Sequence, residues 1–311
     1  MSRLTRLSEL PYLLLLFPPL FWAGNMVVGR AVRGEIPPLS INWWRWTLGA
    51  LILLVFVRRD LWRQRGLLLK HWKLVLLLAV TGIFAFHSAV YVGLNDTTAL
   101  NAALIIALGP VLIVPLAWLL LGDRASKLQL LGVALSLVGV VAVITRGDLG
   151  ALATLSFNRG DLWLLFASAL WGIYSVLLKL KPAALDVLPL LAAIMLLGAA
   201  LTTPFYLWEM AHGLSVPATW ESVAAIGYVS VFAAVLAYIA WNRGVNLVGP
   251  NRAGLFLHLM PVYAIVLAGL FLGEQVQLHH LVGVLLIVLG ILLTTRFGPR
   301  AAGALSSAKT R

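Results

Sequence analysis

A succession of ten long apolar segments, separated by short polar breaks, constrains this chain more than any other feature. A helix needs about 20 apolar residues to cross the hydrocarbon core of a bilayer. Proline and glycine inside several segments are compatible with this, because neighbouring membrane helices satisfy the freed backbone groups. The segments lack the period-two alternation of a membrane β-barrel. We therefore predict an all-α membrane protein with ten transmembrane helices, at residues 10–30, 38–57, 73–94, 98–121, 128–145, 161–179, 186–207, 221–241, 249–272 and 279–296.

The composition agrees with a chain that lipid surrounds. Hydrophobic residues make up 61% of the 311 residues and charged residues only 11%, whereas soluble domains carry about 25% charged residues. Arg3 and Arg6 precede the first apolar segment and could indicate a signal peptide, but no small-residue cleavage site follows. We interpret this segment as the first membrane helix and the lipid bilayer as a partner of the chain.

The formal net charge of +12 reports orientation rather than nucleic-acid binding. Basic residues fall in the short loops between apolar segments, which is the pattern of a topology signal. With the N-terminus inside, 18 of the 23 Lys and Arg residues lie on the cytoplasmic side, four lie on the opposite side, and Arg45 lies within a span. We predict both termini in the cytoplasm, an even number of spans and no nucleic-acid partner.

An internal repeat is the strongest signal of organisation. Five pairs of proline, glycine and acidic residues share an offset of 151 without a gap, and Trp22 and Trp171 share an offset of 149. Between Tyr238 and Pro261 we expect four extra residues to break this offset. The five pairs are Pro110 and Pro261, Gly122 and Gly273, Asp123 and Glu274, Gly132 and Gly283, and Gly139 and Gly290.

Each repeat unit holds five spans, so the second unit enters the membrane from the opposite side. We predict two inverted five-helix repeats, at residues 1–146 and 147–298, followed by a disordered cytoplasmic tail at residues 299–311. Inverted repeats recur in secondary transporters, where two halves move around a site near the midplane. Asp123 and Glu274 each follow a helix-ending glycine and fit a turn better than a chemical site.

None of the eleven acidic residues falls in the middle of a span. A buried carboxylate is the usual way to bind an organic cation or to carry protons, so an antiporter of cationic drugs is disfavoured. Arg45 could extend to the membrane interface among tryptophans or could bind a substrate carboxylate, and we favour the first role. His87 and His258 could relay protons or form neutral hydrogen bonds between helices.

Polar and aromatic side chains within the expected central spans are candidates for a substrate site. His87, Tyr91 and Asn95 recur every four residues and would share one helical face. We assign Trp241, Tyr263 and Asn251 to interfacial or interhelical contacts. The predicted substrate-binding residues are Trp22, Asn25, His87, Tyr91, Asn95, Asn101, Trp171, Tyr174, Ser175, Tyr238, Asn242 and His258.

The motifs that catalysis or ATP-driven transport requires are absent from the sequence. It contains no HExxH, GxSxG or GxxxxGK[ST] pattern and no cysteine, so it offers no thiolate metal site and no thiol nucleophile. We expect no enzymatic activity, no metal and no cofactor. An intramembrane enzyme or a membrane scaffold is the alternative from a different class, although neither requires an inverted repeat.

Several of these motifs together resemble the drug/metabolite transporter superfamily, in particular its EamA-type ten-helix exporters. The resemblance is carried by FWAGN ending at Asn25, by Arg45 in the second span, by LNDTTALNAALIIALGP ending at Pro110, and by the LGD and LGE turns. It implies two inverted bundles around a cavity formed mainly by spans one, three, four, six, eight and nine, with spans five and ten at the periphery.

The same resemblance implies a function and a location. Members of this type export amino acids, related metabolites or drug-like compounds, which predicts a secondary exporter of a small amphipathic or zwitterionic molecule in a bacterial inner membrane. A homodimer is left open. The alternative within transport is an anion exchanger of the nucleotide-sugar or triose-phosphate type, which would need several basic residues at the midplane, where only Arg45 is available.

Overall fold

The computed structural model describes residues 10–32, 34–148, 150–153, 155–272, 275 and 277–297. These residues form helices and no strand. Nine of the described helices are long and apolar enough to cross a membrane, and the remaining predicted span is interrupted. The predicted tail at residues 299–311 and the turn acid Glu274 lie outside the described residues.

We number the ten spans α1 to α10 in chain order. Their bounds are α1 Pro11–Ala31, α2 Pro38–Lys70, α3 Trp72–Asp96, α4 residues 99–121, α5 Lys127–Ile144, α6 Arg159–Leu180, α7 Val187–Ala211, α8 Trp220–Val248, α9 residues 250–272 and α10 Leu278–Phe297. A short helix, Gly150–Ala153, lies between α5 and α6.

Capping residues and a glycine in the sequence account for several of the helix ends. Ser126 and Gln129 form a capping box at the start of α5, and Asn158 and Asp161 form another at the start of α6. In each box two backbone N–H groups that the helix leaves unpaired receive side-chain acceptors. Gly122 ends α4 with φ of 69°, a left-handed conformation that glycine adopts at little cost.

Helix α2 is longer than predicted. It runs for 33 residues, well past the predicted end at residue 57. The additional turns contain the basic segment after Val57, in which Arg63 pairs with Asp60 at 2.7 Å. Arginine, leucine and lysine have high helix propensity, so the helix continues after the hydrophobic segment ends.

Four spans depart from regular α-helix in the middle of the bundle. Helix α3 contains a π-helical segment at Val80–Phe84, and α8 contains one at Val229–Leu236. Helix α4 breaks between Ala107 and Gly109, and α9 passes through a 3-10 segment at Leu255–His258. Irregular backbone at this depth is tolerated where protein rather than lipid surrounds it, and such segments are frequent at functional sites.

Packing interleaves the two halves of the chain. Helix α1 packs against α8, and its counterpart α6 packs against α3. Helix α2 packs against α7, and α5 packs against α10, so equivalent helices meet in pairs. The two ends of the bundle are named here after a buried or turn acid: the Glu209 end carries the α1–α2 connection, and the Asp123 end carries the α4–α5 connection.

Glycines allow the close contact between α5 and α10. A Cβ atom added at Gly132 would lie 2.6 Å from the Gly290 carbonyl oxygen, and one added at Gly139 would lie 2.6 Å from the Gly283 carbonyl oxygen. Gly132 is equivalent to Gly283 and Gly139 to Gly290 under the offset of 151. The two crossings are therefore copies of one contact related by a pseudo-two-fold axis, as in a symmetric dimer interface.

Candidate functional site

Symmetric contacts fix which residues of the two halves are equivalent. Leu164 packs where a Cβ at Gly93 would lie, and Leu15 packs where a Cβ at Gly244 would lie. Leu15 and Leu164 differ by 149, whereas Gly93 and Gly244 differ by 151. The prediction that four extra residues break the offset between Tyr238 and Pro261 is therefore wrong, because Gly244 already has the offset of 151 that Pro261 has. The symmetry extends through α8 and α9.

Five aromatic side chains meet at the centre of the bundle, and we call them the aromatic cluster: Trp22, Trp171, Tyr174, Tyr238 and Trp241. The rings of Trp22 and Trp171 meet edge to face with centroids 5.1 Å apart. Trp241 lies 5.7 Å from Trp22 and 5.5 Å from Trp171. All five side chains are buried. Trp22 and Trp171 are equivalent residues, so the cluster lies near the pseudo-two-fold axis.

Each π-helical segment presents one backbone carbonyl to this cluster. The Gly82 carbonyl accepts a hydrogen bond from the Tyr238 hydroxyl at 2.7 Å. The Ala233 carbonyl accepts from Trp22 Nε1 at 3.0 Å and from Arg45 Nη2 at 2.9 Å. Gly82 and Ala233 are equivalent under the offset of 151. The two π-helical segments therefore supply matching acceptors to side chains of the centre.

Arg45 lies inside the bundle and not at the membrane interface, so the role we favoured from the sequence is wrong. Its side chain is buried, and its guanidinium carbon lies 4.9 Å from the centre of the Trp46 ring. Besides the Ala233 carbonyl, it contacts His87 Nε2 at 3.3 Å through Nη1. Among the described residues no carboxylate forms an ion pair with it. Arginine stays protonated, so an uncompensated positive charge lies beside the aromatic cluster.

The contacts of His87 identify its protonation. Its Nδ1 lies 2.8 Å from the Ile83 carbonyl, which can only accept a hydrogen bond. Its Nε2 faces Arg45 Nη1, which can only donate. The ring is therefore neutral and carries its proton on Nδ1. In this arrangement His87 orients Arg45.

His258 connects the two halves at an equivalent pair of positions. Its Nε2–H donates to the Ala107 carbonyl at 2.9 Å, and its Nδ1 lies 2.6 Å from the Ser136 hydroxyl. Ala107 and His258 differ by 151, so the hydrogen bond joins the breaks in α4 and α9. Both ring nitrogens of His258 have protein partners.

The remaining predicted residues lie at different depths. Asn101 donates to Asp161 at 2.9 Å and to the Ser156 carbonyl at 3.1 Å, within the capped start of α6. Ser175 donates to the Trp171 carbonyl within its own helix. Asn95 is exposed at the Glu209 end of α3. These three side chains lie away from the aromatic cluster or bond to backbone, and their role in binding stays a prediction.

Tyr174 and Asn242 lie on the Asp123 side of the cluster, where the tyrosine hydroxyl donates to Asn242 Oδ1 at 2.8 Å. Asn25 and Tyr91 lie on the Glu209 side of the cluster and are half-buried. The structure thus brings Trp22, His87, Trp171, Tyr174 and Tyr238 together at the centre.

Within the described part of the chain, three buried N–H groups at the centre have no protein acceptor. They are the indole N–H groups of Trp171 and Trp241 and the Nε–H of Arg45. Buried donors are nearly always paired in proteins, so this part of the bundle is suited to a ligand that brings acceptor oxygens and an apolar surface. Within the described ranges, no group of three His, Asp or Glu side chains could hold a metal ion.

Sequence reasoning missed two residues of this centre. The sequence assigns Trp241 to interfacial or interhelical contacts rather than to the binding site, yet its side chain is fully buried against Trp22 and Trp171 at the centre. Arg45 is not among the binding residues that the sequence predicts. The clue available in the sequence was its place between three tryptophans in WWRW, well inside an apolar segment.

Proteins of known sequence and structure resemble this chain over most of its length. An uncharacterized transporter of Bacillus subtilis, YyaM, is 29% identical over 286 residues, covering 90% of this chain and 92% of the relative. An uncharacterized transporter of Archaeoglobus fulgidus is 28% identical, covering 91% and 96%. A probable terminal-alkyne amino-acid exporter of Streptantibioticus cattleyicolor is 27% identical, covering 72% and 73%.

A solved crystal structure with 20% sequence identity superposes with a TM-score of 0.75 and covers 92% of this chain and 96% of its own. At that identity the likeness concerns the fold alone. The model of the EamA-like transporter family matches residues 10–145 and again residues 158–296. Two matches in one chain agree with the repeat seen in both sequence and contacts. The chain is a multi-pass membrane protein that belongs to the EamA-like transporter family.

Proposed function

We propose that this transporter exports small amphipathic solutes that carry a carboxylate, such as amino acids and related metabolites. Transport proceeds by alternating access without ATP, because inverted repeats allow one site to open to either side. The solute binds at the aromatic cluster, with its carboxylate toward Arg45 and its apolar part among the rings.

The buried charge of Arg45 carries this proposal. A buried charge is costly unless an opposite charge or several hydrogen bonds compensate it. Two N–H groups of Arg45 have neutral acceptors, and its Nε–H has none among the residues that the structure describes. A carboxylate would supply both the missing charge and the missing acceptor, since guanidinium and carboxylate groups match in a bidentate geometry.

The aromatic cluster accounts for the rest of the solute. Its five rings offer apolar faces, and the faces of tryptophan and tyrosine also attract ammonium groups. A zwitterionic amino acid would then place its ammonium group against a ring, where the described centre offers no carboxylate. This is the combination expected for an amphipathic or zwitterionic molecule.

The direction of transport is also part of the proposal. The Asp123 end carries most of the basic loop residues, including those of the extended α2, so we place it in the cytoplasm. The relative from Streptantibioticus cattleyicolor, a probable amino-acid exporter, supports outward transport of amino acids. Both chain termini would then lie in the cytoplasm, and the membrane would be a bacterial inner membrane.

Flux across liposomes tests this function. Purified protein is reconstituted into ATP-free liposomes, which are loaded with radiolabelled phenylacetate, L-phenylalanine or phenethylamine, three probes that share a ring and differ in charge. We expect protein-dependent efflux of the two carboxylates and none of the cation. Efflux of phenethylamine alone would contradict the proposal, and so would the absence of flux for every amino acid in an extended panel.

A further inference from the structure

The pseudo-symmetry makes two pairs of polar residues equivalent to each other. Asn25 in α1 corresponds to Tyr174 in α6 under the offset of 149, and Tyr91 in α3 corresponds to Asn242 in α8 under the offset of 151. Each half of the molecule therefore places one asparagine and one tyrosine at matched positions on the helices that line the centre. The order is exchanged, because the first half has asparagine before tyrosine and the second half has tyrosine before asparagine.

Only one of the two pairs is joined in the structure. The Tyr174 hydroxyl donates to Asn242 Oδ1 at 2.8 Å, and both side chains are fully buried. Asn25 and Tyr91, which both belong to the described part of the chain, share no hydrogen bond and are half-buried. The two equivalent pairs thus differ in hydrogen bonding and in burial. Their surroundings at the two ends of the bundle are therefore not the same.

Neighbouring equivalent residues show the same difference. Ser175 and Val176 are 0% exposed, whereas their counterparts Met26 and Val27 are 51% and 43% exposed. Val245 is 0% exposed, whereas its counterpart Leu94 is 47% exposed. The parts of α6 and α8 toward the Asp123 end are therefore buried, while the equivalent parts of α1 and α3 toward the Glu209 end are exposed. This asymmetry is what one state of an alternating-access cycle requires.

We propose that Tyr174–Asn242 and Asn25–Tyr91 are two latches that form alternately. In the state described here the first latch is closed and the second is open. When the halves exchange conformations, the Tyr91 hydroxyl donates to Asn25 Oδ1 and closes the Glu209 end, while Tyr174 and Asn242 separate. The sequence predicts that all four residues bind substrate, and the symmetry gives them a gating role.

The position of the closed latch couples it to the aromatic cluster. The Tyr174 ring lies 5.3 Å from Trp171 and 5.9 Å from Tyr238. It also covers Gly82, where an added Cβ would lie 2.3 Å from the ring. A solute that displaces these rings therefore also moves the residue that holds the Asp123 end closed. This inference rests on the proposed transport by alternating access.

The same substitution, made once in each latch at opposite ends of the bundle, tests the latches. Tyr174→Phe and Tyr91→Phe each remove one hydroxyl and keep the ring. A neutral hydrogen bond contributes enough that its loss changes an equilibrium about two- to tenfold. We expect Tyr174→Phe to favour opening at the Asp123 end by such a factor and Tyr91→Phe to favour opening at the Glu209 end.

Single cysteines report the two ends, because the chain contains no cysteine of its own. Val245→Cys and Leu94→Cys are equivalent positions, and a charged thiol reagent that stays out of lipid labels them in nanodiscs, where both faces are accessible. Leu94→Cys should react faster than Val245→Cys. Tyr174→Phe should speed labelling of Val245→Cys and slow that of Leu94→Cys, and Tyr91→Phe should do the reverse.

A double variant in which the two latch residues exchange places distinguishes loss of the latch from loss of folding. Tyr174→Asn with Asn242→Tyr reproduces the order that the first half already has, and we expect it to keep Val245→Cys protected. Labelling changes of the same sign at both reporters, or no change at either, would overturn the latches. The labelling needs no solute, so it stands even if the flux experiment fails for every probe.

Discussion

Arg45 is the residue on which the chemistry of the centre depends. Its guanidinium has five N–H groups, of which the His87 ring and the Ala233 carbonyl accept two. The sequence placed Arg45 in a span but could not give the direction of its side chain, because depth along a helix does not determine rotation about its axis. The neutral His87, oriented by the Ile83 carbonyl, is what directs it inward.

Replacing Arg45 should remove the preference for carboxylates. We expect Arg45→Gln to weaken binding of phenylacetate by about tenfold or more and to leave that of the neutral phenylacetamide unchanged, since a hydrogen bond to a charged group contributes about 1.5–3 kcal/mol. Isothermal titration calorimetry measures both affinities. Arg45→Lys keeps the charge, so its affinity for phenylacetate should lie between those of the unsubstituted protein and Arg45→Gln.

Arg159→Gln provides the matched control, because Arg159 is exposed at the start of α6 and the charge change is the same. A purely structural role of Arg45 would lower the affinities for both probes together. An equal loss for phenylacetate and phenylacetamide would therefore contradict the assignment.

At the scale of elements, the π-helical segments explain where sequence reasoning succeeded and where it failed. Apolar length alone located the spans, and a glycine marked the end of α4 at Gly122, whereas α2 runs well past its predicted end. The face that each residue presents was harder to predict, because a π-helical segment inserts an extra residue and turns the rest of the helix by about 100°. Trp241 follows the segment at Val229–Leu236 in α8. Its inward direction therefore cannot be derived from a regular period of 3.6 residues.

The π-helical segment of α3 requires glycine at position 82, because the Tyr174 ring packs against it. In Gly82→Ala the new Cβ would lie 2.3 Å from the Tyr174 ring, which would have to move away from Asn242. We expect a loss of about 1–3 kcal/mol in stability, the usual cost of overpacking, measured as a lower thermal transition in detergent. Gly227→Ala is the control, since nothing lies within 4 Å of its added Cβ. Equal transitions for the two variants would disprove this close contact.

At the scale of the whole molecule, the repeat visible in the sequence predicted two inverted halves, and the fold confirms the ten-helix architecture. The interleaving of the halves was not predictable, because a repeat does not say which helices meet. Helix α1 packs against α8 and not only against its own half. Gly132 and Gly139 in α5 and Gly283 and Gly290 in α10, which the repeat pairs with each other, lie where these two helices cross closely.

The α5–α10 crossing should respond symmetrically to substitution. Gly139→Ala and Gly290→Ala are equivalent, and each added Cβ would meet a backbone carbonyl oxygen, at 2.6 Å and 2.5 Å. Backbone cannot move aside as a side chain can, so we expect each variant to lose about 1–3 kcal/mol of stability. Gly66→Ala, with nothing within 4 Å, should be neutral or slightly stabilising. Thermal unfolding of the three variants measures this, and a loss confined to one of the equivalent pair would argue against the symmetry.

Spin labels on two pairs of positions, which the pseudo-symmetry makes equivalent, measure whether the two ends open alternately. Lys179→Cys with Asn246→Cys spans the Asp123 end, where the lysine Nζ lies 3.0 Å from the Asn246 carbonyl oxygen, and Arg30→Cys with Asn95→Cys spans the Glu209 end. Double electron–electron resonance should find a short and a long distance for each pair, and a transported solute should shift the two pairs in opposite directions. If both pairs lengthen or shorten together, or each keeps a single distance with every solute that the protein transports, the two halves do not exchange conformations and the account fails.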